Sequence, residues 1–142
     1  MKLIFLDIDG VLTTKETDFR FSSNCIENLL SLIRKTDAKI VICSSWKEEN
    51  LEKTLPLLPS CLREHVLAQT PNLPNAIKGK EVQAFLLSHP SLQANLNDKY
   101  IILDDEPELY LPHQRSMHFI QTDINMGLTE QNIKKATKLI TQ

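Results

Sequence analysis

Acidic and hydroxyl side chains directly follow three short apolar runs of the sequence, at 3–6, 40–43 and 100–103. These side chains are Asp7, Asp9, Ser44, Ser45, Asp104 and Asp105. If the runs are parallel strands of one sheet, their carboxyl ends share one crevice and the acids meet there. Carboxylates crowded together repel unless a cation joins them, and hard oxygen ligands with open positions favour Mg²⁺, which shares phosphate oxygens. The pattern predicts a Mg²⁺ site for phosphate chemistry, to which a lysine at the start of a neighbouring helix would add positive charge.

The elements that must position these residues are short apolar strands separated by amphipathic helices. Strands are predicted at the runs 3–6, 40–43, 66–68, 100–103 and 117–121. Helices are predicted to begin near Asn24, Lys47, Lys78 and Thr129. The first would begin at a capping box formed by Asn24 and Glu27, and the second would run from Lys47 to Leu55. This alternation predicts an α/β fold, a Rossmann-like three-layer sandwich with a mostly parallel sheet, as a single domain over residues 1–142.

Composition excludes several classes of protein. The chain has 142 residues, a net charge of −2 and 42% apolar residues, which is typical of a globular domain and not of disordered or fibrous chains. No apolar run reaches the roughly 18 residues of a membrane span. The three scattered cysteines favour a reducing compartment. We therefore expect a soluble, cytoplasmic protein without a membrane partner. Three glycines cannot form a glycine-rich phosphate loop. Lysine and arginine are scattered, which disfavours nonspecific nucleic-acid binding.

Four segments resemble, in order, the motifs of the haloacid dehalogenase (HAD) superfamily. LIFLDIDGVL resembles the first motif, IVICSS the second, Lys78-Gly79 ahead of a helix the third, and IILDDE the fourth. One such motif is weak support, but four in the family's order over residues 3–106 are specific. The segments CSSWK, KGKEVQAFL and QTDINMGLT further resemble the small HAD phosphatase domains associated with RNA-repair proteins. The resemblance implies an HAD-like fold and a phosphatase that works through an aspartyl-phosphate.

The resemblance also implies roles for the acids. Asp7 would be the nucleophile that attacks phosphorus. Asp9 would protonate the leaving oxygen and then activate the water that hydrolyses the acyl phosphate. Mg²⁺ would be held by Asp7, the backbone carbonyl of Asp9 and the acids of the fourth motif. Among those, Asp105 is favoured as the direct ligand, with Asp104 nearby or acting through water.

The remaining roles concern the phosphoryl group. Ser44, with Ser45 beside it, would donate hydrogen bonds to the transferring phosphoryl group, although a serine in this position could simply cap a helix. Lys78 would neutralise the charge of that group, and Lys80 is an alternative that the sequence leaves open. Trp46 could stack on a nucleobase or only pack against neighbouring side chains.

The natural substrate, which could be small or macromolecular, is not evident from the sequence. Residues 11–24 and 46–77 leave no room for the inserted cap domain by which many HAD enzymes choose substrates, so we expect an open site suited to a phosphorylated nucleic-acid or protein end. Lys47, Arg20 and Arg115 could contact such an end. Two alternatives are a phosphoacceptor regulatory module similar to a bacterial receiver domain and a catalytically weak HAD fold used for binding. The oligomeric state stays open.

Overall fold

A sheet of five parallel strands organises the described part of the molecule. The structure is a computed structural model that describes residues 1–91 and 99–141. Its strands are β1 (Lys2–Leu6), β2 (Lys39–Ile42), β3 (Val66–Gln69), β4 (Lys99–Asp104) and β5 (Phe119–Gln121). They lie in the order β3-β2-β1-β4-β5. The chain therefore moves outward on one side of β1 and then crosses to the other side, which makes the carboxyl ends of β1 and β4 the switch point where such sheets bind ligands.

Helices cover both faces of this sheet and confirm the predicted α/β fold class. They are α1 (Ser23–Thr36), α2 (Leu51–Thr54), α3 (Ser60–Arg63), α4 (Lys78–Leu87), α5 (Pro112–Met117) and α6 (Glu130–Thr141). Buried residues of α1 and α6 share one apolar cluster with the sheet, and those of α4 share the other. Within the described residues, no helix combines the length and the apolar character needed to cross a bilayer.

Side-chain alternation along the strands decides which face each acid occupies. Ile4 and Leu6 of β1 pack on the side of α1 and α6, whereas Leu3 and Phe5 pack on the side of α4. Because successive strand residues point to opposite faces, the next residue, Asp7, falls on the α4 side. The parallel register pairs Phe5 with Ile102 and Leu6 with Leu103, so Asp104 falls beside Asp7. Both acids thus face the helix that begins with a lysine.

The first helix begins earlier than its predicted capping box. Ser22 is the N-cap of α1, since its hydroxyl oxygen accepts a hydrogen bond from the Cys25 backbone N–H at 3.2 Å. The predicted cap Asn24 already lies inside the helix. Ser22 has an extended backbone, which an N-cap requires, and a serine satisfies the same unpaired N–H groups as an asparagine. The last helix agrees with its prediction, because the Thr129 hydroxyl accepts from the Asn132 backbone N–H.

The predicted helix over residues 47–55 is wrong in extent, the one-turn helix α3 was not predicted, and a longer helix was missed. Only Leu51–Thr54 is helical there, because the side chain of Asn50 caps a new start by accepting from the Lys53 backbone N–H. A 3-10 turn over Leu55–Leu57 then accommodates Pro56. The missed helix, α5, takes up Met117, so β5 is shorter than predicted and begins at Phe119. Its six residues are too few to show an amphipathic period.

Candidate active site

Three carboxylates meet at the switch point between β1 and β4. Asp7 follows β1, Asp104 ends β4 and Asp105 comes next. One oxygen from each of the three lies within 4.8 Å of the other two. Asp104 is fully buried and Asp7 is 4% exposed, whereas Asp105 is half-buried. Three of the four acids that the sequence predicted to converge therefore lie close enough together to hold one ion.

Lys78 lies between two of these acids. As the first residue of α4, it places its Nζ 3.0 Å from Asp7 Oδ1 and 3.0 Å from Asp104 Oδ2. Lys80, the alternative left open by the sequence, is exposed. Gly79 allows the start of α4 to pack closely against residues 110–114. A Cβ at position 79 would lie 2.5 Å from the Gln114 side chain and 2.9 Å from the backbone of residues 110 and 111.

Burial and mutual repulsion perturb the ionisation of the group. Burial, reinforced by the charge of Asp104, raises the pKa of Asp7 to about 7, although Lys78 opposes the shift. Burial, together with a hydrogen bond to Asp104, raises the pKa of Asp105 to about 6. Burial alone would lower the pKa of Lys78, but its two carboxylate partners outweigh that and raise it. Three acids beside one ammonium group leave an excess of negative charge, which a divalent cation would compensate.

Asp104 is engaged by donors at both of its oxygens. Its Oδ2 accepts from Lys78 and from the Tyr110 hydroxyl at 2.5 Å, and its Oδ1 accepts from the Glu106 backbone N–H at 3.1 Å. This arrangement suits Asp104 to orienting Lys78 and favours Asp105 as the acid that would reach an ion directly. Sequence reasoning missed Tyr110, which is 1% exposed and also lies 3.7 Å from the Cys43 sulfur. Its position in an irregular segment carried no motif or period that could have identified it.

The Asp9 carboxylate lies beside the acidic group rather than within it. Its Oδ1 accepts from the Thr13 hydroxyl at 2.8 Å, and its Oδ2 accepts from the indole N–H of Trp46 at 3.2 Å. The chain turns after Ile8, whose carbonyl accepts from the Val11 backbone N–H at 3.1 Å, and Gly10 within this turn has φ +85°. A Cβ on Gly10 would lie 2.5 Å from the Asp105 carboxylate carbon, so this position admits only glycine without displacing that acid.

The residues of the second motif have different surroundings. Ser44 is buried, and its Oγ accepts from the Trp46 backbone N–H at 3.2 Å, so that its hydroxyl hydrogen can still be donated. Ser45 is exposed. The turn that Ser44 caps is thus compatible with donation to a bound phosphoryl group.

The suggestion that Lys47 contacts substrate is wrong, because its ammonium group is already engaged inside the protein. Its Nζ donates to Thr70 Oγ1 at 2.9 Å, to two backbone carbonyls at 70 and 71, and to Glu81 at 3.1 Å. Its side chain is only 4% exposed. Of the other two basic residues considered, Arg115 donates to the Tyr110 carbonyl and Arg20 is exposed.

Comparisons with known proteins identify one family. A family model described as the HAD domain in Swiss Army Knife RNA repair proteins matches residues 3–133. Neither the search of curated proteins nor the search of solved structures returned a match. The matched range begins within β1, extends past β5 and contains every site residue described above.

Proposed function

Because the chain belongs to the family of HAD domains in Swiss Army Knife RNA repair proteins, as its motifs predicted, we propose that it is a Mg²⁺-dependent phosphomonoester hydrolase. The observation that carries the proposal is the meeting of Asp7, Asp104 and Asp105 within 4.8 Å at the ends of β1 and β4. Lys78 bridges two of them at 3.0 Å. A nucleophile, a cation site and a fixed positive charge thereby share one crevice.

The donor set fits Mg²⁺. All candidate ligands are oxygens, which hard cations prefer, and the half-buried edge at Asp105 leaves open positions for water and substrate. Asp7, Asp105 and the backbone carbonyl of Asp9 would hold the ion, with Asp104 acting through water. When bound, Mg²⁺ would neutralise charge on the phosphoryl oxygens and help to orient them.

Asp7 and Asp9 would carry the chemistry. Asp7 attacks phosphorus, the bond from phosphorus to the ester oxygen breaks, and the carboxyl proton of Asp9 passes to that departing oxygen. The product of this step is an aspartyl-phosphate on Asp7 and a free alcohol. Asp9, now a carboxylate, takes a proton from a water molecule that attacks the phosphoryl group, which releases inorganic phosphate and regenerates Asp7.

Lys78 and Ser44 would hold the group that is transferred. The ammonium group of Lys78 offsets the charge that the phosphoryl oxygens bring to an already acidic crevice, and Ser44, with Ser45 at the exposed rim, would donate hydrogen bonds to them. Such fixed donors act by positioning and charge stabilisation, without reorganising at the moment of reaction.

The substrate that we propose is a phosphorylated nucleic-acid end. Throughout residues 11–77, which the structure describes completely, the chain forms a loop, three helices, a 3-10 turn and strands β2 and β3, and no inserted domain covers the crevice. An uncovered crevice admits the end of a large molecule. The family's occurrence in RNA repair proteins favours RNA over a protein end.

Phosphatase assays on matched substrates test this proposal. We expect Mg²⁺-dependent, EDTA-sensitive release of phosphate from 4-nitrophenyl phosphate and from oligonucleotides phosphorylated at the 5′ or 3′ end. Asp7→Asn should lower kcat by at least ~10³-fold, since it removes the nucleophile. Asp37→Asn is the matched control, because Asp37 is an exposed residue at the C-cap of α1 with φ 57°, which asparagine tolerates.

Two results would contradict the proposal. A folded, Mg²⁺-loaded protein that turns over no phosphate ester, whether or not Asp7 is replaced, would indicate a binding module. A stable phosphorylated Asp7 without release of phosphate would indicate a phosphoacceptor module instead.

A further inference from the structure

The Asp9 carboxylate is held at both of its oxygens by other side chains of the chain. Thr13 donates to Oδ1 at 2.8 Å and the Trp46 indole donates to Oδ2 at 3.2 Å. Two donors on two different oxygens fix the rotation of the carboxylate plane, which a single donor would leave free. Trp46 reaches Asp9 from the loop that follows β2, so the contact joins the first motif to the second.

Trp46 is itself held in place. Its backbone N–H donates to Ser44 Oγ at 3.2 Å, and its ring packs edge-to-face against Phe21 with the centroids 5.2 Å apart. Phe21 in turn forms an isolated antiparallel β-bridge with Thr13, the other donor to Asp9. Asp9 is therefore surrounded by a connected set of contacts among Thr13, Phe21 and Trp46. A shift of the tryptophan would disturb the loop of the first motif.

We propose that Trp46 is a positioning residue whose indole N–H orients the carboxyl group of Asp9 for proton transfer to the leaving oxygen. This inference rests on the proposed function. An indole N–H can donate but not accept, so it contacts Asp9 without competing for the proton that the reaction moves. A general acid must lie within hydrogen-bonding distance of the departing atom. Loss of the contacts that orient Asp9 therefore slows the step in which the leaving oxygen is protonated.

The dependence of the rate on the leaving group separates positioning from packing. A 4-nitrophenolate is a weak base that departs with little help from an acid, whereas the alkoxide of an alkyl phosphate requires a proton. Loss of the indole N–H should therefore lower kcat/KM for an alkyl phosphate far more than for 4-nitrophenyl phosphate. The ratio kcat/KM is used because it reports the steps up to formation of the aspartyl-phosphate. A general weakening of the fold would lower both values by the same factor.

The experiment compares the wild-type chain with Trp46→Phe on both substrates in saturating Mg²⁺. General acid catalysis contributes about 10²–10⁴-fold, so we expect a loss of about tenfold or more on the alkyl phosphate and less than about threefold on the aryl phosphate. Tyr100→Phe is the control, because it also removes one donor from an aromatic side chain, but in β4 at the opposite end of the sheet. It should leave the ratio of the two kcat/KM values unchanged.

A second variant keeps the test decisive if Trp46→Phe unfolds the protein. Trp46 is the chain's one tryptophan, so biosynthetic replacement by 3-benzothienylalanine changes that side chain alone and exchanges the N–H for sulfur in a ring of the same shape. Equal losses on both substrates in a folded variant, or no loss on either, would refute the positioning role while leaving the phosphatase proposal intact. An inactive wild-type protein would overturn both.

Discussion

The buried ion pair between Lys47 and Glu81 permits a quantitative test of how the crevice is held together. Lys47 Nζ lies 3.1 Å from Glu81 Oε1, and the other oxygen of Glu81 accepts from the Leu73 backbone N–H at 3.0 Å. These contacts tie the loop after β2 and the segment before α4 to the first turn of α4, which carries Lys78. Lys47→Met keeps most of the side-chain volume but removes the charge and all of its hydrogen bonds.

The expected cost follows from burial. The side chains of Lys47 and Glu81 are only 4% and 12% exposed, so the substitution leaves a carboxylate away from water with one backbone donor. Removing one partner of such a pair costs about 3–5 kcal/mol. The Lys53–Glu49 pair has nearly the same length, 3.2 Å, but its side chains are 56% and 79% exposed. An exposed pair of that kind contributes about 0.2–1 kcal/mol.

Thermal and urea unfolding of Lys47→Met and Lys53→Met measure this difference. At roughly 3 °C per kcal/mol for a domain of this size, Lys47→Met should lower Tm by about 10–15 °C, whereas Lys53→Met should change it by less than about 3 °C. In the double variant with Glu81→Gln, part of the loss should be recovered, because the unpaired charge is gone. Equal free energies of unfolding for the two lysine variants would refute the argument from burial.

Two further predictions concern the acidic group. Gly10→Ala and Gly127→Ala should both lower Tm, because both glycines have positive φ. Only Gly10→Ala should weaken Mg²⁺ binding, measured by calorimetry, since its Cβ would displace Asp105. Equal Mg²⁺ affinities of the two variants would contradict this. The pKa of Asp7 is raised from 3.8 to about 7 on folding. Between these two pH values the folded, metal-free protein binds more protons than the unfolded chain, so its stability falls as pH rises. The Tm in EDTA should therefore fall between pH 5 and pH 7.5, and Mg²⁺ should raise Tm more at pH 7.5 than at pH 5. An equal rise in Tm with Mg²⁺ at both pH values would show that burial of Asp7 is not the cause of the pH dependence.

The positions of the acids were predictable because they depend on local properties of the chain. An apolar run that ends in an acid predicts both a buried strand and the edge of the sheet at which that acid lies. Asp7 and Asp104 follow this rule, and their neighbouring strands then bring them together. The Lys-Gly pair at the start of α4 was identified through its resemblance to a family motif, and the structure adds that a Cβ at position 79 would clash with Gln114.

The contacts that support the site were not predictable, because they join loops that are distant in the chain. Trp46 donates to a residue 37 positions earlier, and Lys47 contacts Glu81, which is 34 positions later. Lysine is rarely buried, and nothing in the sequence marks Lys47 as the exception. Tyr110 lies only six residues after Asp104, but no motif or periodicity marks it; its hydroxyl donates to Asp104 Oδ2, which distinguishes that acid from Asp105. Neighbours in sequence share backbone geometry and therefore a readable pattern, whereas these partners meet only when the packed layers bring their loops to one edge of the sheet.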